Sequence, residues 1–381
     1  MEKLLIRNVI KANESNPTTV PFDVLVQDGM IADVGESLPA QDIETVFDAR
    51  GAYISHGLMD IHVHVSVPGY TQFHKQEMGV DIEQYGYRTG VNTLVDAGTF
   101  GADNIQAAID YASQKITKVL FLINASRTGI QPGGPELEDL DKINIEAAGK
   151  ALADNPERII GVKARASISA SGKSGITAIA RAKALAVALG LPMVVHIGNA
   201  PPPIEEVLNL LTEGDIITHC FHGKRSNAII DENNKVKPET LAARDRGVLF
   251  DVGHGSESFN YAVAQQMFQN GFLPDSISTD LHVLNARGPV YSLPVTVDKL
   301  MTLNDSLYPW INMATEAPRK AFKMPAGDPL AIGQTADLAL FRVEPAAMDY
   351  LDSDGNSISI RKKINVIRTV KGSLLLPVDR V

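Results

Sequence analysis

At 381 residues with 44% hydrophobic and 21% charged side chains, the chain has the material for a large globular core. A net charge of −10 argues against a nucleic-acid surface, and the single cysteine, Cys220, excludes an intramolecular disulfide and points to a reducing compartment. The opening "MEKLLIRNVI" has no signal-peptide character and no apolar run approaches the ~18 residues of a membrane span, so the expectation is a cytoplasmic protein that engages neither membrane nor nucleic acid.

Residues 1–55 read as short strands: "LLIRNVIKA", then "FDVLVQDGMIADVG", a hairpin turned at Asp28-Gly29. The far end, 329–381, has the same character in "TADLALFRV", "SISIRKKINVIRTV" and "KGSLLLPVDRV". One small composite β-sandwich built from both termini is expected. Between them, residues 56–328 alternate apolar strand segments with helical stretches. The segments are "GLMDIHVHV", "GVNTLVDAG", "KVLFLINAS", "RIIGVKARA", "LPMVVHIGN", "DIITHCFHG", "GVLFDVGHG" and "DSISTDLHV". Among the helices, "SGITAIARAKALAVALG" offers Ser174 as N-cap and Gly190 just past its end. Eight strands alternating with helices predict an α/β fold, a (β/α)8 TIM barrel. The competing doubly wound sheet lacks the glycine-rich turn expected after its first strand.

In "GLMDIHVHV" the alternation of a strand puts His62 and His64 on one face and Ile61, Val63 and Val65 on the other. Taken alone, such a pair is equally a metal site or two satisfied core histidines. Barrel chemistry, however, sits at the C-terminal strand ends. There the chain places Lys163 on strand four, His196 on strand five, His219 on strand six and Asp280 on strand eight. Four histidines, a lysine and an aspartate at matching strand ends predict a metal centre. Arg165 shares the face of Lys163 and is a candidate for binding substrate or for an ion pair. His254, at the end of strand seven, is a candidate pocket wall. His222 and His282 lie near these positions without an assigned role, as do His56 and His74 elsewhere.

Through "KARAS", "VHIGNAPP", "THCFHGK", "FDVGHG" and "ISTD" the chain resembles the amidohydrolase superfamily. The likeness is to its two-metal branch of dihydroorotases, hydantoinases and deacetylases, and within it to bacterial proteins described as deacetylase, dihydroorotase-like or adenine deaminase. The resemblance implies that His62, His64 and Asp280 hold one divalent ion and His196 and His219 another, with zinc expected from the imidazole-rich ligand set. Lys163 would bridge them as a carbamate formed with CO2, because a protonated ammonium has no lone pair to offer two cations. A metal-bridging hydroxide would attack an ester or amide, and Asp280 would take its proton and pass it to the leaving group.

Two departures shape the activity. Dihydroorotases follow the histidine pair with an arginine that holds the substrate carboxylate; here the position is Ser66, before Pro68-Gly69. Superfamily deaminases place an acid shortly after the strand-five histidine; here no acid appears before Glu205. The reading is therefore a metal-dependent deacetylase of small acylated compounds. A cyclic amidohydrolase, an adenine deaminase and a non-catalytic scaffold are the alternatives, and a homo-oligomer is left open.

Overall fold

The computed structural model describes residues 2–12, 20–70, 78–131, 134–304 and 306–379. Its strands in chain order are β1 (Lys3–Lys11), β2 (Phe22–Gln27), β3 (Met30–Gly35), β4 (Thr45–His56), β5 (Leu58–Val63), β6 (Val91–Ala97) and β7 (Lys118–Asn124). They continue as β8 (Ile159–Ala166), β9 (Met193–Ile197), β10 (Ile216–Thr218), β11 (Leu249–Asp251), β12 (Asp337–Leu351), β13 (Ser357–Lys371) and β14 (Leu374–Pro377).

Both ends of the chain meet in one seven-stranded sheet of order β14-β13-β12-β4-β1-β2-β3. β1 and β4 run parallel and the other neighbours antiparallel. The expected hairpin joins β2 to β3 with Gln27 opposite Met30. Its turn residues Asp28 and Gly29 have φ of 51° and 81°, the left-handed pair that suits the twist of a two-residue hairpin. Leu4, Ile6, Val24, Val26, Ile54, Leu338 and Leu340 form the buried core of this sheet.

The middle of the chain forms a second sheet, β5 through β11, parallel and in sequence order. Every residue of β5 and β6 is buried, as expected of strands covered on both faces. The helix Gly175–Leu189 ends as anticipated on Gly190, at φ 66°. Ser174 holds the N-cap position, but its hydroxyl donates to the Glu138 carbonyl at 2.6 Å instead of capping the helix. No helix among the described residues is long and apolar enough to cross a membrane.

The eighth segment departs from a regular strand. It bridges both edges of the parallel sheet, Ser276 to Asp251 of β11 and Leu281 to Val63 of β5, without an extended ladder. Side chains replace part of the backbone pairing. The Thr279 amide and hydroxyl donate to Asp60 at 3.1 and 2.6 Å, and the Ser276 and Ser278 hydroxyls donate to Asp251 at 2.8 and 2.6 Å. Asp280 then turns into the left-handed region at φ 49°, which ends the extended run and redirects its carboxylate.

Candidate metal centre

Six of the sequence-predicted residues reach one cavity of about 430 Å³ at the C-terminal ends of the strands: His62, His64, Lys163, Arg165, His196 and Asp280. His219 is fully buried beside them. Its ring centroid lies 5.0 Å from that of His62 and 4.3 Å from that of His196. Asp280 is the hub. Its Oδ1 is 3.3 Å from Nε2 of both His62 and His64, and its Oδ2 is 3.8 Å from Nε2 of His219. Lys163 Nζ lies 3.0 Å from His62 Nε2.

Among the described residues, His62, His64 and Asp280 bring three potential ligand atoms within 4.8 Å of one another. The Nε2 of His219 is buried with no hydrogen-bond partner. A buried polar atom without a partner is costly, so it marks a place where a further atom would bind. Imidazole nitrogens with a carboxylate suit a divalent transition ion.

Burial shapes the charges here. It pushes the Lys163 amine down to about 8, against the opposing pull of Asp280. It pushes His62 well below the usual imidazole range, helped by Lys163, and His219 down to about 3. Burial raises the Asp280 carboxyl, but the surrounding imidazoles outweigh it and hold that group well below the usual carboxylate range.

The ligand backbone is held from beneath. His219 has φ 74° and, like Asp280, adopts a conformation that L-residues other than Asn, Asp and Gly seldom take. The ring is locked by Nδ1 lying 2.6 Å from the Gly253 carbonyl. A Cβ at Gly253, φ 48°, would sit 2.2 Å from Thr218 Oγ1 and 2.9 Å from His219 Nδ1, so the glycine of "FDVGHG" is a packing requirement of the site. His62 Nδ1 lies 3.0 Å from Thr218 Oγ1, and His64 Nδ1 lies 2.8 Å from Thr99 Oγ1. The two threonines donate to Asp251 and Asp96 at 2.7 and 2.6 Å.

Arg165 is engaged through its fork. Nε and Nη2 each donate to the Glu136 carboxylate at 2.6 Å, and the Glu136 side chain is 1% exposed. The ion-pair partner sequence reasoning did not supply is thus Glu136. His254, a candidate pocket wall, is fully buried and does not line the cavity. Its ring stacks on Phe259 with centroids 4.6 Å apart, and Lys299 Nζ donates to its Nε2 at 2.8 Å. His282 does line the cavity, with Nε2 3.0 Å from Ser256 Oγ. His222 is tied to Asn227 O at 3.1 Å and His56 to Gly327 O at 2.8 Å, both outside the cavity, while His74 lies outside the described residues.

A parallel α/β barrel with strand-end imidazoles gathered around one aspartate defines a hydrolase barrel of the amidohydrolase class. No family model matches the chain. It is 36% identical over 375 residues to a deacetylase of Enterococcus faecalis, covering 97% of each chain. It is 32% identical to a deacetylase of Agrobacterium fabrum, covering 94% of this chain and 87% of that one. A solved dihydroorotase superposes with a TM-score of 0.91 at 30% identity, covering 100% of this chain and 99% of that one. A solved adenine deaminase superposes at 0.90 with 33% identity, covering 99% and 100%. The chain belongs to the amidohydrolase superfamily and is a hydrolase of that superfamily.

Proposed function

We propose that this hydrolase is a zinc-dependent deacetylase that cleaves an ester or amide in small acylated compounds. The observation that carries the reading is the convergence on Asp280 of three imidazoles from two strand ends, one of which has a buried and unpartnered Nε2. Its deacetylase relatives supply the acyl group.

In this reading His62, His64 and Asp280 would hold one ion and His196 and His219 the other, and Lys163 as a carbamate would be the ligand they share. The buried amine, lowered to about 8, is neutral often enough near pH 8 to react with CO2. The metals, when bound, supply Lewis acidity and a water that ionises near neutral pH. Asp280 accepts a proton at Oδ2, the oxygen less closely approached by imidazole, and returns it to the leaving alcohol or amine.

Arg165 is the residue through which the pocket would recognise a substrate carboxylate. Glu136 takes the Nε hydrogen and one of the two on Nη2, so recognition falls to the other edge of the guanidinium, the two Nη1 hydrogens and the second on Nη2. Small acylated acids, such as O-acetyl hydroxy acids or N-acetyl amino acids, are then better substrates than their neutral amides. Arg165→Met should reduce kcat/KM for the acid more than for the amide. Equal loss on both would assign Arg165 to holding Glu136 and the cavity wall alone.

The test of the function is turnover by zinc-loaded protein of acetyl esters, N-acetyl amino acids, dihydroorotate, hydantoins and adenine. Acetyl compounds should be hydrolysed and dihydroorotate and adenine left intact. Ser66 in place of the arginine, and the acid-free stretch from Ile197 to Ile204, support that order. Turnover of dihydroorotate or adenine in preference to every acetyl compound would sink the reading.

A further inference from the structure

We propose that Thr99 and Thr218 are positioning residues that fix His64 and His62 in the Nδ1–H tautomer and so keep both Nε2 lone pairs free for a cation shared with Asp280. The proposal rests on the metal reading for its consequence, but its physical basis is the hydrogen-bond chemistry of two hydroxyls.

A threonine hydroxyl has one proton to give. Thr99 Oγ1 lies 2.6 Å from Asp96 Oδ2 and 2.8 Å from His64 Nδ1. Thr218 Oγ1 lies 2.7 Å from Asp251 Oδ2 and 3.0 Å from His62 Nδ1. An ionised carboxylate only accepts, so it takes the hydroxyl proton and leaves Oγ1 as the acceptor. The imidazole must then donate from Nδ1, which leaves Nε2 unprotonated. Burial raises both carboxyls above the usual carboxylate range, and the donors each one collects oppose that rise and favour the ionised form. Asp96 receives the Thr99 and Val65 amides at 2.8 and 3.1 Å as well as the Thr99 hydroxyl. Asp251 receives the Ser276 and Ser278 hydroxyls as well as that of Thr218.

A further observation agrees. The same relay is built twice from unrelated pieces. Asp96 and Thr99 come from one strand end, three residues apart, whereas Thr218 and Asp251 face each other across β10 and β11. A local accident of one loop would not produce both.

The assignment is read directly in metal-free protein labelled with 15N-histidine. Long-range proton–nitrogen correlations, assigned with His62→Gln and His64→Gln variants, should show Nδ1 protonated in both rings. An Nε2–H tautomer in either ring overturns the proposal for that relay. The consequence is read by zinc competition with a chromophoric chelator. Thr99→Val and Thr218→Val should each weaken zinc binding about 10–100-fold, the usual cost of losing such an outer partner. Thr99→Ser and Thr218→Ser should restore affinity to near wild type, and the metal-free Tm of the valine variants should stay close to that of their serine counterparts. Unchanged affinity in the valine variants, or serine variants as weak as valine, overturns the positioning role. Should a valine variant not fold, the wild-type spectrum still decides the tautomer. Wild-type protein with both Nδ1–H tautomers that takes up no zinc would overturn the metal reading and support the tautomer assignment.

Discussion

The far end of β13 in the terminal sheet and the strands β5 and β6 of the barrel treat polar side chains by opposite rules. In β13 of the terminal sheet, Ser357, Ser359 and Arg361 are exposed while Ile358 and Ile360 between them are buried. One face is wet, and a polar residue there has water for a partner. In β5 and β6 of the barrel, Asp60, His62, Asn92, Thr93 and Asp96 are all buried in strands with no wet face. A buried polar group there must find a protein partner or cost free energy. The barrel's polar residues accordingly link into short chains, Asp60 to Thr279, Asp96 to Thr99 to His64, and Asp251 to Thr218 to His62. On the exposed face of β13 a polar residue reports solvent; in β5 and β6 these chains report a connection.

That contrast can be broken from the barrel side first. Lys163→Ala should lose more activity than the ~10²–10⁴-fold attached to a missing acid/base group, because both metal positions lose a ligand. Added short carboxylic acids should restore part of it. Full kcat in this variant, or one tightly held metal in active wild type, would remove the two-metal reading. Asp280→Asn keeps the shape and loses the base, so kcat should fall ~10²–10⁴-fold while metal is partly retained. A near wild-type kcat would assign proton transfer elsewhere.

Stability sharpens the same comparison. Asp60→Ala strips the Thr279 amide and hydroxyl of their acceptor, and each orphaned group should cost about 1–3 kcal/mol in urea unfolding. Ser359→Ala removes a bond to Asp349 on the wet face and should change stability by no more than about 0.5 kcal/mol. Equal effects would deny that the two sheets differ.

An effect that shows only as a pH dependence belongs to the seam between them. Asp298, on the helix Leu293–Met301, accepts the Ile364 amide of β13 at 2.7 Å, and burial pushes its carboxyl up to about 8 despite that bond. The folded protein therefore keeps a proton that the unfolded chain releases above about 3.8, and this contribution to stability is lost as pH rises through that window to about 8. Asp298→Asn retains the acceptor and does not titrate. Its stability relative to wild type should improve from pH 4 to pH 8 and level off above. Parallel profiles for the two proteins would show that Asp298 is ionised throughout.

What was readable in the sequence follows from these rules. His62 and His64 stand out because a two-residue period puts both on one face of an apolar run, although only the polar residues at the other strand ends separate a metal site from a core pair. The hairpin at Asp28-Gly29 and the C-cap at Gly190 are local and were equally plain. The partners were not. Glu136 reaches Arg165 from 29 residues upstream, with no spacing to announce it. Lys299 takes His254 Nε2 from a helix that the strand-end rule does not consider, which removes His254 from the cavity wall. The eighth segment looked like its seven predecessors, yet its serines and threonine bond to carboxylates on both neighbours, and the ladder gives way to side chains. Ser174 similarly spends its hydroxyl on a distant carbonyl that no helix signal could indicate.

The pairing of β4 with β1 on one side and β12 on the other, His56 opposite Leu338, carries a consequence for synthesis on the ribosome. The N-terminal strands emerge first, and chains generally fold from that end as they appear. Here β4 acquires its first neighbour early and waits for the second until the whole barrel has been translated. Throughout that interval the nascent chain holds an open hydrogen-bonding edge along Tyr53, Ile54 and Ser55, the kind of edge on which strands from other chains can add. Any product released before residue 337 keeps that edge permanently, so the last strands act as the seal on the first.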